Sequence, residues 1–194
     1  SELQEHAAPL TWDELREQVR EDLGRDPEEV FEDIEREPLA SASIAQVHRA
    51  RLPDGRRVVL KVRRPGIEEV AAADVRLLER IAELFEQELP ELRRYRPRAV
   101  VRQFARSLRD ELDLAVEARN CERIAEDLAE DAHLVVPAIH GEWTRERLCV
   151  QDYLEGPSAR AWVRGGRGDG VDATRVTERG ADAVLEMVFV HGLY

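Results

Sequence analysis

The sequence predicts an α+β fold. Three observations carry that prediction. Helical signals open the chain. The pattern then changes to two extended segments around a tight turn. Long helical stretches follow, and a second extended pair comes after them.

Thr11-Trp12-Asp13-Glu14 has the spacing of a capping box and opens a helix that Gly24 closes. Asp26-Pro27 starts a second short helix, with Asp26 as N-cap and proline at the first helical position. Segments 43–52 and 56–62 read as extended, joined by the turn Pro53-Asp54-Gly55. Pro65-Gly66 breaks the chain. Segment 67–89 is helical, with Val70, Leu77, Leu78, Ile81 and Leu84 as an apolar stripe. Pro90 and Pro97 bracket a loop, and a helical stretch runs from about Pro97 to Glu130. Two short strands are predicted at 139–143 and 147–153, a turn at Gly156-Pro157, a flexible loop at 164–170, and a last helix, or helix plus strand, over 173–191. Arg167-Gly168-Asp169 matches an adhesion tripeptide and is read as part of the Gly-rich loop.

Composition narrows the function. The 194 residues are 43% hydrophobic and 36% charged, enough for a core and a soluble surface; with 5% aromatics that core is aliphatic. The net charge of -12, without a prominent basic run, argues against nucleic acid as a partner. Cys121 and Cys149 are too few for a disulfide framework and fit a reducing, cytosolic-side compartment. The histidines show no paired metal-ligand spacing, and no apolar run is long enough to span a bilayer. The start at Ser1 and the end inside the apolar run 184–194 lead us to expect a piece of a longer protein, with exposed apolar surface on that run.

The most informative residue is a lysine. Of 29 basic residues all but Lys61 are arginine. The two are exchangeable on a solvated surface but not where a compact point charge is needed. Lys61 lies in the apolar strand Val58-Val59-Leu60-Lys61-Val62, where a charge is costly unless paired. Upstream, Ala40-Ser41-Ala42-Ser43-Ile44-Ala45-Gln46-Val47 has the spacing of the kinase loop G-x-G-x-x-G-x-V, with alanine at each glycine position. Small residues let a backbone approach phosphates and aim N–H groups at them, and alanine makes the loop stiffer than glycine. Across the hairpin, Lys61 stands where a strand lysine meets the α- and β-phosphates.

The long helical stretch carries two apolar stripes, one through Val101, Phe104, Leu108, Leu112 and Ala115, the other through Leu114, Cys121, Ile124 and Leu128. They point to opposite sides, so the helix is predicted to kink or restart near Asp110–Asp113. Glu117 falls within the second stripe, and a carboxylate on a packed face needs a cation, for which Lys61 is the candidate. Glu111 and Asp113 form an acidic pair just before it.

Together these motifs resemble the UbiB/AarF family of atypical kinases. Residues 38–50 resemble its alanine-rich loop, Leu60-Lys61-Val62-Arg63-Arg64-Pro65-Gly66 its lysine strand, and Glu111-Leu112-Asp113 with Glu117 its Glu-x-Asp motif and helix glutamate. Asp152-Tyr153-Leu154-Glu155-Gly156 looks like its adenine-holding hinge, although Gln151 stands where a more apolar residue is usual. The resemblance implies a protein-kinase-like N-lobe with an N-terminal helical extension and the start of a C-lobe. That gives a partial extension over 1–37, an N-lobe with inserted helices over 38–155, and a hinge with truncated C-lobe over 156–194. It implies ATP as ligand with Mg²⁺ as its metal. Ala40, Ser41, Ala42, Ser43, Ala45, Val47 and Lys61 would surround the phosphates, with Glu117 orienting Lys61. Asp152 and Leu154 would bond adenine through their backbones, and Glu111 and Asp113 would face the extension. The family's catalytic loop and metal-binding segment would follow Tyr194, so no catalytic residue or metal ligand is expected in this chain. Work in isoprenoid quinone (ubiquinone-type) biosynthesis is implied, in the cytoplasm and peripheral to a membrane surface, beside other quinone-biosynthesis proteins. The alternative is a nucleotide-responsive scaffold, or a lipid- or quinone-binding module, that transfers no phosphate.

Overall fold

The computed structural model describes residues 10–164, 172–190 and 192. The Arg167-Gly168-Asp169 tripeptide lies outside them.

Helix α1 (Trp12–Leu23) begins at the predicted capping box: Thr11 accepts from the Glu14 N–H while Glu14 accepts from the Thr11 N–H. It ends at Gly24, whose φ of 67° only glycine adopts without strain. Helix α2 (Pro27–Val30) is a single turn. Strands β1 (Asp33–Ile34) and β2 (Ala40–Ser41) both pair with β3 (Ala45–Arg51). β3 pairs in turn with β4 (Arg57–Arg63), and β4 with β5 (Leu148–Asp152), every pair antiparallel. The segment before β2 is therefore partly built into the sheet. Between β4 and β5 the chain inserts α3 (Ile67–Glu88), α4 (Pro97–Leu112) and α5 (Leu114–Asp127). Helices α6 (Ala159–Arg164) and α7 (Ala173–Phe189) follow the sheet.

Alternation along the strands assigns each side chain to one of two faces. Val58, Leu60 and Val62 of β4 join Leu148 and Val150 of β5 and Ala50 of β3 on one face, where Leu15 and Val19 of α1 close a fully buried cluster with Val30, Phe31 and Leu52. The opposite face carries Lys61, with Cys149 beneath α5 residues Leu114 and Ala118. Arg147 ties α1 to the sheet. Its backbone N–H and Nε donate to Asp22 at 3.0 and 2.7 Å, and Nη1 donates to Glu21 at 2.7 Å.

Several expectations are corrected. The pair of strands around residue 145 is one strand. Ile139 makes a single bridge to Gln151, and the His140 carbonyl then accepts the N–H groups of Trp143 and Thr144, which curls the chain out of strand geometry. The loop after Pro90 is a short 3₁₀ helix, Pro90–Tyr95. The long helical stretch does restart as predicted, with Asp113 as N-cap of α5 accepting from the Ala115 N–H at 2.9 Å. Helix α3 forms as predicted, and its stripe stays open: Val70, Leu77, Leu78, Ile81 and Leu84 are 37–58% exposed, because α3 packs mainly on α4 rather than on the sheet. Segment 173–189 is one helix, and its Val184, Leu185, Val188 and Phe189 are exposed, as is Val190 after it.

Candidate functional site

Strand β4 presents Lys61 on the face away from α1, opposite Val47 on one side and Cys149 on the other. Helix α5 presents Glu117 to it, and Lys61 Nζ stands 2.5 Å from Glu117 Oε2. The side chains are 30% and 49% exposed. Glu117 is therefore not on a closed face, as its place in the apolar stripe suggested; it sits at the open edge of α5 and is paired nonetheless. A pair this accessible contributes about 0–1 kcal/mol to stability.

Two bonds set the reach of α5. Its first amide, Leu114 N–H, donates to the Glu146 carbonyl at 2.8 Å. Arg63, on the same face of β4 as Lys61 and almost wholly buried, donates Nη1 to the Leu112 carbonyl at 2.7 Å. Its guanidinium also meets Glu146 at 3.2 Å and Glu68 at 3.3 Å. The strand that carries the lysine thus also grips the point where the helix carrying the glutamate begins. Beneath the pair, burial first and the Glu117 carboxylate second push the Cys149 thiol up to about 11. Burial, with Glu117 and Glu122 beyond it, also raises Cys121.

The pair opens on a cleft of about 430 Å³ that Asp110, Glu111, Asn120 and Ile124 also line. Glu111 and Asp113, expected to face the N-terminal extension, do not face α1, its long helix among the described residues. Glu111 borders this cleft and Asp113 is spent on the α5 cap, both away from the sheet face that α1 covers, because the helix restart turns them toward the lysine side. Among the described residues no group of three or more His, Cys, Asp or Glu is placed to hold a metal ion.

The small-residue loop is a closed hairpin. Ala40 pairs with Val47 and Ser41 with Gln46; the Ala42 N–H donates to the Ala45 carbonyl at 2.9 Å. Ala42's amide is therefore spent inside the loop instead of pointing at a ligand. Ala45 is buried, whereas Ala40, Ser41, Ala42 and Ser43 are exposed. At the other end of the sheet, the Asp152 N–H donates to the Ala138 carbonyl at 2.9 Å and its side chain lies 2.8 Å from the ring of buried His140. Leu154 is exposed, and its N–H has no partner among the described residues. Sequence reasoning missed Arg63 and His140. One is an arginine among many and the other a lone histidine, so neither carried a signal above its background.

The description of the ABC1 atypical kinase-like domain fits residues 2–194. The chain belongs to that family. It is 35% identical over 192 residues to "Probable protein kinase UbiB" of Cellvibrio japonicus, covering 99% of this chain and 35% of that one. To the protein of the same name in Aliivibrio fischeri (strain ATCC 700601 / ES114) it is 37% identical over 188 residues, covering 96% and 34%. Among solved structures it resembles the Rv3197–erythromycin complex of Mycobacterium tuberculosis, with a TM-score of 0.71, 28% identity, and coverage of 81% of this chain and 39% of that one. The fold is thus a kinase-like mixed sheet and helix lobe, and the chain spans about a third of the length of the UbiB relatives it matches.

Proposed function

We propose that this chain is the ATP-gripping portion of a UbiB/AarF-like atypical kinase or ATPase that serves isoprenoid quinone biosynthesis. The observation that carries the reading is the Lys61–Glu117 pair at the mouth of a cleft, beside the small-residue hairpin. An exposed ion pair adds little stability, so the only lysine in an arginine-rich chain is better accounted for by a ligand than by folding. An ammonium has three donors, and one partner carboxylate leaves the others for phosphate oxygens.

On this reading Lys61 binds the α- and β-phosphates, Glu117 fixes its position, and Ala40, Ser41, Ala42, Ser43, Ala45 and Val47 form the lid. The Asp152 carbonyl and the Leu154 N–H meet adenine, the Asp152 N–H being already bonded. Glu111 borders the phosphate end, and Asp113 sets the start of α5. On this reading Mg²⁺ accompanies the nucleotide; no group of described residues is placed to hold it. Membership of the family supports a cytoplasmic place beside a membrane surface and other quinone-biosynthesis proteins; no described helix is long and apolar enough to cross a membrane.

Isothermal titration of the chain with ATP tests the reading. Wild type should bind, and Lys61→Ala should weaken binding by at least about tenfold, the loss of one charge-assisted contact. A folded wild-type chain without ATP affinity refutes it.

A further inference from the structure

Arg64 follows the strand that carries Lys61 and, by alternation, faces the other way. Its contacts agree with that direction. Its backbone N–H extends the strand pairing to the Ile44 carbonyl at 2.8 Å. Its Nε donates to the Ala42 carbonyl at 2.9 Å, and Nη2 donates to Ser41 Oγ at 2.8 Å. Glu14 of α1, the helix on the far face of the sheet, feels its charge: the carboxyl is held below its ordinary value chiefly by the Thr11 N–H and hydroxyl, with a smaller pull from Arg64. The guanidinium therefore draws the Ala42 carbonyl toward the α1 side.

A trans peptide is planar, and its C=O and the next N–H point in opposite directions. A carbonyl held on the α1 side turns the Ser43 N–H to the Lys61 side. That amide has no partner among the described residues. Ser43 and Ile44 also line the groove formed by Ile67, Phe104 and Leu112 of α3 and α4, so the tip of the loop opens toward the inserted helices. Alanine and serine resist positive φ, so this peptide's orientation depends on the tether rather than on glycine-like freedom.

We propose that Arg64 is the positioning residue of the loop: by tethering the Ala42 carbonyl and Ser41 hydroxyl it aims the Ser43 N–H at the phosphates of a bound nucleotide. The proposal rests on the nucleotide reading above and adds to it the group that orients the loop. Arg64 itself touches no phosphate; its effect reaches the ligand through one peptide plane.

The test titrates ADP and adenosine into wild type, Arg64→Ala, Arg64→Lys and Ser41→Ala. Loss of the tether should weaken ADP by about tenfold and leave adenosine within about twofold, since only phosphate meets the amide. Arg64→Lys should not rescue, because a single ammonium cannot span two acceptors as the guanidinium fork does. Ser41→Ala, which keeps the carbonyl anchor, should lose about threefold for ADP and carries the same comparison if Arg64→Ala does not fold. In the ligand-free protein the Ser43 amide resonance should move in Arg64→Ala. Equal losses for ADP and adenosine, full rescue by lysine, or an unmoved Ser43 amide would each overturn the proposal while leaving the nucleotide reading intact. A wild-type chain that binds neither ligand overturns both.

Discussion

The two faces of the sheet solve different problems. The α1 face is closed: Leu15, Val19, Val58, Leu60, Val62, Leu148 and Val150 are all at or below 1% exposure. The other face is held by few apolar contacts, Leu114, Ala118 and Cys149 with Ile139 beside them, and by polar ones that leave a cleft. The contrast puts the closed core and the open ion pair on opposite sides of one strand. Along β4 the side chains of Val58, Leu60 and Val62 serve the first, and those of Lys61 and Arg63 serve the second. On the nucleotide reading proposed above, that face can keep an exposed ion pair because it is not asked to hold the lobe together.

The division is broken most directly by comparing neighbours. Leu60→Ala should destabilise the chain by about 2–5 kcal/mol, whereas Lys61→Ala, one residue away, should cost less than about 1 kcal/mol. Urea midpoints measured side by side check this. Comparable losses at both positions would mean that the lysine face also carries the fold. Arg63 sharpens the boundary, since it lies on the lysine face yet is buried. Arg63→Met removes the charge but strands the Leu112 carbonyl, and should cost about 1–3 kcal/mol. The Leu114 amide at the α5 start should exchange faster in that variant, because the junction it anchors has lost its grip on β4. An Arg63→Met chain with wild-type stability and exchange would assign the placing of α5 to Glu146 and the Asp113 cap alone.

What could be read from the sequence divides along the same line. The capping box at Thr11, the β3–β4 hairpin and the restart at Asp113 were legible because local chemistry dictates them: a cap, a turn, and a reversal of stripe. The partner of Lys61 was legible because a charge in an apolar strand demands one. The exposure of Glu117 was not, because an apolar stripe shows which residues share a face and not how completely that face is covered. The α3 stripe misleads for the same reason, as its partner is another amphipathic helix rather than the sheet. The turn at His140 depends on one carbonyl gathering several donors, which no periodicity reports. Arg63 and Arg64 act through backbone carbonyls brought close by the fold, and an arginine-rich composition hides them.

The last effect, confined to high pH, comes from the thiol between the two regimes. Cys149 is packed under the ion pair, and its raised value means that the folded chain favours the protonated form. An unfolded thiol ionises near its ordinary value of 9.0. Below that value both states hold the proton and the thiol has no effect on stability. As pH rises toward about 11 the unfolded chain releases the proton while the folded chain keeps it, so stability falls by about 1.4 kcal/mol per pH unit from this group, and the fall stops once the folded thiol ionises too. Cys149→Ala lacks that slope. The stability difference between wild type and the variant should therefore be flat from neutral pH to about 9 and shrink above it, as followed by denaturant titration at stepped pH. In the folded protein iodoacetamide should label Cys121, which is partly exposed, well before Cys149. Parallel pH curves for the two proteins, or faster labelling of Cys149, would mean that the lysine face opens to solvent beneath its ion pair and is less ordered than the contrast with the α1 face requires.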